Sequence, residues 1–318
     1  MKYENGEKIA TRVAYGDALA ELGESKDFVV LDADLAAATK TGVFKKKYPD
    51  RFFDCGIAES NMMGVAAGLA ASGKKVIASS FAMFAAGRAF EQVRNSIGYP
   101  HLHVIIGATH AGITVGEDGA THQCLEDMAL MRTIPGMTVI NPSDAVETQE
   151  ALSAALEMDG PVYLRLGRYG VPVVNAVPAY SFRVGKGICL ADGKDVTIVA
   201  TGIMVAMALQ AKDMLAEKGI SARVINIHTI KPIDREILVK AAEETGAIVT
   251  AEEHSVIGGL GSAVAEAVSE VCPVPVVRVG VNDQFGRSGQ VPELLKLYGL
   301  TPERIVERAL EAIRIKAE

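Results

Sequence analysis

The side chains best suited to chemistry in this sequence cluster in one glycine-rich segment, "THAGITVGEDGATHQ" (109–123). It carries His110, Asp118 and His122, so two of the six histidines fall within thirteen residues and flank an acid. Histidine exchanges protons near neutral pH, and both residue types hydrogen-bond sugar hydroxyls. No two histidines stand four residues apart, as a helical metal site would need. The segment predicts a site for a hydroxylated substrate; the alternative is a surface loop with incidental histidines.

A second candidate is Glu59, the single acid in the run "CGIAESNMMGVAAGLAASG" (55–73). The surrounding residues are small or apolar, which indicates a buried helix with a close packing partner. One interpretation is that Glu59 lies in the first helical turn and balances the positive end of the helix dipole. The other is that Glu59 faces a ligand in a site of low dielectric constant, where its proton serves chemistry. These residues alone favour the first interpretation.

The composition is that of a globular protein. Of 318 residues, 49% are apolar and 22% charged, and the net charge is −7. This acidic balance argues against a nucleic-acid partner. No run approaches the roughly 18 apolar residues of a membrane span, and the N-terminus lacks the apolar core of a signal peptide. The four cysteines are widely spaced without a CxxC pair, which predicts reduced thiols and a cytoplasmic location.

Short apolar runs alternate with helical patterns along the chain. The strand candidates are 27–36, 74–81, 101–109, 137–142, 195–202, 223–230, 247–254 and 274–280, and the helix candidates are 58–72, 83–98, 124–132, 144–157, 204–218, 234–245, 259–271 and 301–316. The alternation is interrupted at 169–182, which holds two prolines and is interpreted as a linker. Such alternation predicts parallel sheets and an α/β fold of two doubly wound domains, 1–178 and 179–318. Ligands of such folds bind on loops at the carboxyl ends of the strands.

One segment imitates a nucleotide-binding fingerprint. "IGGLGSAVAEAV" (257–268) follows a predicted strand, opens a predicted helix and contains Gly259 and Gly261 in G-x-G spacing. The third small residue of the fingerprint is missing, because Val264 stands there. We interpret these glycines as a tight turn between strand and helix.

Several segments together resemble the C-terminal half of a transketolase. They are "FFDCGIAESNMMGVAAGLAASG", "SSFAMFAAGRAFEQVRNSI", "THAGITVGEDGATHQCLEDMALMRTIPGMTVINPSD" and "HTIKPID". The resemblance runs from about Ile9 to the C-terminus and does not include the family's N-terminal domain. It implies a thiamine-diphosphate pyrimidine-binding domain (1–178) followed by a transketolase C-terminal-like domain (179–318).

The resemblance gives Glu59 a role in catalysis and cofactor binding. A glutamate at this position of the family hydrogen-bonds the aminopyrimidine ring nitrogen of thiamine diphosphate. An apolar pocket would let the carboxyl group share a proton there and favour the tautomer that deprotonates the thiazolium carbon. Phe81 and Phe84 match the aromatic residues that stack on the pyrimidine. Asp34 matches an acid near the thiazolium, and these residues are predicted to bind cofactor.

The same resemblance gives the polar residues contacts with substrate. Asp118 and His122 would hold donor hydroxyls near the reacting carbonyl, and His110 would lie towards the substrate phosphate. Arg12 and Arg168 match the arginines that grip this phosphate, because a guanidinium meets two phosphate oxygens at once. The two histidines are predicted to be catalytic, and Asp118 and the arginines to bind substrate.

The sequence departs from the family pattern at two positions. Ala38 in "DLAAATK" stands where a serine also binds the phosphate, and Thr39 and Lys40 follow it. Gly87 replaces a tyrosine that follows the second phenylalanine. Both changes alter the sugar-phosphate end of the predicted site and leave its cofactor end unchanged.

The resemblance lacks the family's ligands for Mg²⁺ and diphosphate, a Gly-Asp-Gly segment with a later asparagine. The nearest match, "GEDG" (116–119), belongs to the predicted substrate site. We therefore predict that a separate N-terminal subunit supplies most of the ligands for Mg²⁺ and the cofactor diphosphate. The start at Met1 leads us to expect a natural subunit. Because sites of this family lie between subunits of a twofold dimer, the predicted assembly is α2β2.

The predicted function is that of the C-terminal subunit of a two-subunit transketolase. It would move a two-carbon ketol unit from a ketose phosphate to an aldose phosphate, as in the pentose phosphate pathway. One alternative is a 1-deoxyxylulose-5-phosphate synthase-like half, which usually has arginine where His110 stands. Another is the beta subunit of a 2-oxo-acid dehydrogenase, but "GEDGATHQ" favours the sugar enzyme. A non-catalytic partner subunit is a third, and the intact Glu59, His110, Asp118 and His122 argue against it.

Overall fold

The computed structural model describes residues 2–177 and 180–318. The predicted domain boundary, between residues 178 and 179, lies outside the described residues. Within them, strands and helices alternate along both halves of the chain, as the apolar runs predicted. No helix in either described range has both the length and the apolar character needed to cross a membrane.

The first half of the chain builds one parallel sheet. The strands in this half of the chain are β1 (Lys8–Ala10), β2 (Val29–Asp32), β3 (Phe52–Asp54), β4 (Val76–Phe81), β5 (Val104–Thr109), β6 (Thr138–Ile140), β7 (Val162–Arg165) and β8 (Gly170–Pro172). Six of them lie parallel in the order β6-β7-β5-β4-β2-β3. Strands β1 and β8 pair antiparallel with each other outside this sheet.

The second half builds another sheet and extends the first. Its strands are β9 (Ile188–Ala191), β10 (Val196–Ala200), β11 (Ala222–Asn226), β12 (Thr229–Lys231), β13 (Ile248–Ser255) and β14 (Val276–Val281). The second sheet has the order β14-β13-β10-β11-β9, with only β9 antiparallel to its neighbour. Strand β12 leaves this sheet and pairs antiparallel with β6, so it forms the edge of the first sheet.

Helices connect the strands. In the described residues they are α1 (Thr11–Leu22), α2 (Ala36–Thr39), α3 (Gly42–Lys47), α4 (Glu59–Ala71), α5 (Phe90–Gln92), α6 (Asp127–Thr133), α7 (Ala145–Ala155), α8 (Met204–Ala216), α9 (Arg235–Thr245), α10 (Leu260–Ser269), α11 (Val291–Leu297) and α12 (Pro302–Ala317). Met83–Arg88 and Val93–Gly98 are π-helical, and Pro49–Arg51 and Ile113–Val115 are 3₁₀ turns.

Local chemistry explains where these elements lie. Every residue of β4 and β5 is buried, because helices cover both faces of the parallel sheet. The Asp144 carboxylate begins α7 by accepting the backbone N–H of Glu147. Thr301 caps α12 in the same way, with Pro302 at the first helical position. The fold is thus the predicted α/β class with two doubly wound sheets.

The two halves share a hydrophobic core. Leu31 and Ile106 of the first sheet belong to the same buried cluster as Val199 and Ile225 of the second. Leu260 of α10 is buried in the same cluster. The halves are therefore packed together through apolar surface, which makes their relative position part of the fold.

Two predictions from the sequence, for residues 223–230 and 169–182, are wrong. Residues 223–230 are not one strand, because Ile227 donates its N–H to Ala200 O and His228 O accepts from the N–H of Asn141. These bonds turn the chain from β11 in one sheet to β12 in the other. The stretch 169–182 is not simply a linker either, because β8 pairs there with β1.

Candidate active site

Most of the predicted site residues lie where an α/β fold binds ligands. Each follows the carboxyl end of a first-sheet strand or starts the helix after it. Glu59 begins α4 after β3, Phe81 ends β4, and His110 follows β5. Arg168 follows β7, and Asp34 follows β2. The parallel order of the strands therefore gathers these residues at one edge of the sheet.

Glu59 is buried and forms an ion pair. Its side chain is 2% exposed, and its Oε2 accepts a hydrogen bond from Arg88 Nη1 at 2.8 Å. The same guanidinium lies 4.5 Å from the centroid of the Phe84 ring. The sequence interpretation pictured Glu59 in an apolar pocket, and the structure differs because Arg88 reaches the carboxylate. Arg88 was missed, although it is the one charged residue in the small, apolar run "FAAGRAF".

The local helix geometry positions Arg88. Residues 83–98 were predicted as one regular helix, but the structure divides them into two π-helical turns around α5. In the first turn Ala89 donates its N–H to Phe84 O, a bond to the fifth residue back. Such wide turns are frequent at functional sites. This one places Phe84 and Arg88 together beside the start of α4.

Four predicted residues form an aromatic cluster. The rings of Phe81 and Phe84 are nearly parallel, with an angle of 13° and centroids 5.8 Å apart. His110 stacks on Phe81 at 3.8 Å. His122 lies edge-on to both phenylalanine rings, at 6.2 and 5.4 Å. The structure thus brings the two predicted histidines to the two predicted stacking residues.

His110 is held as a neutral ring of defined orientation. Its Nε2 lies 3.1 Å from Arg12 Nη1, which is a donor, so Nε2 accepts. The proton therefore sits on Nδ1, which donates to Thr109 Oγ1 at 2.9 Å. Burial, followed by the positive charges of Arg12 and Arg168, lowers the pKa of His110 to about 3. At neutral pH His110 is therefore uncharged, and both of its ring nitrogens have partners.

Two arginines line a cleft between the halves of the chain. Arg12 donates from Nη1 to Ala38 O at 2.7 Å, and its buried Nε finds no partner among the described residues. Arg168 donates from Nη1 to Val115 O and lies 3.9 Å from Asp118 Oδ2. Burial and the neighbouring Arg168 lower the pKa of Arg12. The cleft has a volume of about 260 Å³, and Glu117 lines it together with the two arginines.

The structure separates the two residues that follow Ala38. Thr39 is buried, and its hydroxyl donates to Asp32 Oδ2 at 2.7 Å. Lys40 adopts a left-handed backbone conformation, with φ 71°, and its charge contributes to the lowered pKa of His110. Of these two residues, it is therefore Lys40 whose charge affects His110.

Asp34 is exposed, next to the end of β2. Its backbone is left-handed, with φ 61°, and its N–H donates to Asp54 Oδ1 at 3.1 Å. Residues 2–177 and 180–318 contain no group of three or more histidine, cysteine, aspartate or glutamate side chains placed to hold a metal ion. All four cysteines are free thiols.

The turn of the nucleotide-like segment is occupied by the side chain of Glu252, from β13. The Glu252 carboxylate accepts the N–H groups of Leu260 and Gly261, at 2.6 and 2.8 Å, at the start of α10. A Cβ on Gly259 would lie 2.0 Å from Glu252 Oε2. The glycines therefore form the tight turn predicted for them, and a carboxylate lies where a nucleotide phosphate would bind.

Comparison with known proteins identifies the class. The family model "Transketolase, pyrimidine binding domain" matches residues 7–173, and "Transketolase, C-terminal domain" matches residues 185–305. The chain belongs to the transketolase family, as the sequence motifs predicted, and this family uses thiamine diphosphate.

Relatives of similar length are subunits of divided enzymes. The 6-deoxy-6-sulfo-D-fructose transketolase subunit SqwH of Clostridium sp. (strain MSTE9) is 47% identical, covering 96% of this chain and 95% of its own. An apulose-4-phosphate transketolase subunit of Phocaeicola vulgatus is 43% identical, covering 96% and 98%. A solved structure titled "Split gene transketolase, inactive beta4 tetramer" is 58% identical, with a TM-score of 0.90, and covers 97% of this chain and 99% of that one. The chain thus corresponds to the C-terminal subunit of a split transketolase.

Proposed function

We propose that this chain, joined to a separate N-terminal subunit, transfers a two-carbon ketol unit from a ketose phosphate to an aldose phosphate. The observation that carries the proposal is the buried Glu59 carboxylate beside the Phe81–Phe84 pair, with two arginines lining the adjoining cleft. The carboxylate and the aromatic pair suit an aminopyrimidine, and the two arginines suit the phosphate of a sugar.

The side chains around Glu59 fit the aminopyrimidine end of thiamine diphosphate. The guanidinium of Arg88 already donates a hydrogen bond to Glu59 and lies over Phe84. A guanidinium is flat and donates only, so the Arg88 contact indicates that a planar nitrogen group can reach the Glu59 carboxylate. The ring nitrogen of the cofactor would take the place of the guanidinium there. When bound, thiamine diphosphate would supply the electron sink for breaking the carbon–carbon bond. Glu59 would hold the proton at the ring nitrogen, and Phe81 and Phe84 would orient the ring.

The polar residues would contact different parts of the substrate. Neutral His110 would accept a hydrogen bond from a substrate hydroxyl on Nε2, in place of the one from Arg12, and His122 and Asp118 would hold donor hydroxyls. Arg12 and Arg168 would bind the terminal phosphate, with Lys40 supplying a further positive charge. The names of two relatives specify a sulfo-sugar and a sugar phosphate, both anionic. This supports an anionic ketose as the donor.

Exposed apolar surface near Glu59 is evidence for contact with a partner subunit. Around the start of α4, Ile57 is 77% exposed and Phe53 44% exposed, and Val65 on the helix is 40% exposed. A Cβ on Gly64 or Gly68 of the same helix would meet nothing within 4 Å. Apolar surface of this kind is typical of a subunit contact. We therefore infer that the partner covers α4, supplies the Mg²⁺ and diphosphate ligands and completes an α2β2 assembly.

The test compares the chain alone with the chain joined to its partner, a second polypeptide carrying Gly-Asp-Gly and a later asparagine. Alone, the folded chain should show no ketol transfer and only weak binding of thiamine diphosphate by calorimetry. With the partner and Mg²⁺, both should appear. Tight Mg²⁺-dependent binding to the chain alone would refute the divided site.

A further inference from the structure

The substrate loop, residues 109–123, is held from the second half of the chain. Glu253, on β13, accepts the backbone N–H of Thr114 on its Oε1 at 2.7 Å. Gly112 has φ 80°, and a Cβ there would lie 2.2 Å from the Glu253 carboxylate. Only glycine allows the two segments to approach so closely. The carboxylate therefore fits into the loop backbone.

Glu253 is fixed where it stands. It is 4% exposed, and its backbone oxygen accepts a hydrogen bond from Arg165 Nη2 at 2.9 Å. Arg165 in turn pairs with Asp127 at 2.8 Å, and both are buried. Burial raises the pKa of Glu253, and the positive charge of Arg165 opposes this. A carboxylate held in this way gives the loop a rigid acceptor.

This contact leads directly to the anion-binding residues. Thr114 lies within the 3₁₀ turn Ile113–Val115, and the next carbonyl, that of Val115, accepts from Arg168 Nη1. The turn thus connects Glu253 to Arg168. Further along the loop, Gln123 donates to Arg287 O at 3.0 Å, so the second half holds the loop at another point.

We propose that Glu253 is a positioning residue, through which the C-terminal domain fixes the 113–115 turn and thereby the direction of the Arg168 guanidinium. The inference rests on the proposed function, in which Arg168 binds the substrate phosphate. It assigns the C-terminal domain a role in reading the anionic end of the substrate.

The neighbouring glutamate is a matched control. Glu252 is fully buried and accepts two backbone N–H groups, as described, but these belong to α10 and not to the substrate loop. Glu252→Ala removes the same atoms one residue away. Any effect common to both variants therefore reflects general damage to β13.

The first experiment measures kinetics in the complex with the partner subunit. Glu253→Ala should raise KM for a phosphorylated ketose on the order of tenfold, the effect of losing one orienting hydrogen bond. KM for unphosphorylated hydroxypyruvate should stay within about twofold. Glu253→Gln retains an acceptor and should stay near wild type, and Glu253→Ala should add little to Arg168→Ala. Equal increases for both donors, or the same split in Glu252→Ala, would overturn the proposal.

The second experiment does not depend on activity. Hydrogen exchange in the chain alone should show faster exchange across 113–116 in Glu253→Ala, by on the order of tenfold, and not in Glu252→Ala. Unchanged exchange in Glu253→Ala would overturn the positioning role. If the loop loosens as expected but wild-type enzyme transfers no ketol unit from any donor, the proposed function fails and the positioning of the loop stands.

Discussion

At Glu59, the interpretation of the residue as a dipole partner and its interpretation as a ligand-facing acid are compatible. The carboxylate lies in the first turn of α4, where its negative charge interacts favourably with the positive end of the helix dipole. It is also buried and paired with Arg88. Arg88 itself is half exposed, with 51% of its side chain accessible. Glu59 is buried and Arg88 stays hydrated, so the guanidinium mainly compensates a carboxylate that has lost its water. In the proposed function, the fixed geometry of this carboxylate serves ligand binding.

Glu59→Gln keeps the shape of the side chain but cannot exchange a proton with the ring nitrogen of the cofactor. We expect at least a hundredfold loss of ketol transfer in the complex with the partner. The melting temperature should change little. The control is Glu91→Gln, an exposed acid in α5 that hydrogen-bonds Asn95. Retention of most activity in Glu59→Gln would contradict the role given to this carboxylate.

Arg168→Ala tests the anion site at the same scale. Removing the guanidinium should raise KM for a phosphorylated donor far more than KM for hydroxypyruvate, because charged hydrogen bonds contribute about 1.5–3 kcal/mol. Steady-state kinetics with both donors measures the split. Arg304→Ala, which removes an exposed guanidinium on α12, is the control. A parallel rise in both constants would mean that Arg168 supports the loop backbone and does not recognise the phosphate.

The substrate loop shows what glycine does at the scale of an element. Its three glycines all have positive φ, a backbone conformation that glycine adopts without strain. The structure adds that the second half approaches them: Glu253 at Gly112 and Ser288 at Gly119. These positions therefore lack a side chain for two reasons, conformation and space.

Two glycine substitutions compare an open position with a crowded one. Gly112 and Gly219 have similar φ, 80° and 75°, but a Cβ on Gly219 would meet nothing within 4 Å. Gly219→Ala should cost about 1–2 kcal/mol, the cost of a left-handed L-residue. Gly112→Ala must also displace the buried Glu253 carboxylate, and its backbone, with φ 80° and ψ −174°, is in a region essentially restricted to glycine. It should therefore lower the free energy of unfolding by several times as much. Urea unfolding measures both, and equal losses would show that space at Gly112 is unimportant.

The sequence predicted regular elements well and exceptions poorly. The helix predicted at 58–72 is Glu59–Ala71, since an uninterrupted apolar pattern sets its length. The strand predicted at 223–230 divides because tertiary hydrogen bonds of Ile227 and His228 turn the chain, and no local signal marks this. The helix α1 was missed, although it presents a buried face. In the site, the sequence motifs identified which residues to expect there. They did not identify the contact of Arg88 with Glu59, because this contact depends on a π-helical turn that hydrophobic periodicity does not reveal.

At the scale of the whole molecule, Glu147 joins the two halves. This fully buried residue of α7 accepts from Tyr180 at 2.7 Å and from Asn226 of β11 at 2.8 Å. Ser143 donates to its other oxygen from both its N–H and its hydroxyl. Burial, with the nearby charge of Asp144, raises the pKa of Glu147 from 4.5 to about 7.

The raised pKa makes stability depend on pH. Below pH 4.5 both folded and unfolded chains carry the proton on Glu147, and its stabilisation is fully present. As pH rises to about 7 the unfolded chain loses this proton first, so stability falls, by about 3 kcal/mol in total. Glu147→Gln cannot ionise and should lack this fall.

Urea unfolding of wild type and Glu147→Gln between pH 4.5 and 7.5 measures the difference in slope. The control is Glu150→Gln, an exposed position on the same helix. If the wild-type and Glu147→Gln curves run parallel across this range, Glu147 does not hold its proton in the folded protein.

The edge strand β12 has a consequence for synthesis on the ribosome. The first sheet has all its parallel strands once β7 has emerged, but β6 stays unpaired along one side until Thr229–Lys231 follow. At about 5–20 residues per second, that interval lasts on the order of 3–15 seconds. During it the nascent chain exposes an open sheet edge, which other unfinished chains can extend. Release of a chain that stops before β12 would make this exposure permanent, so a premature stop codon between β7 and β12 should give aggregates and not a stable first domain.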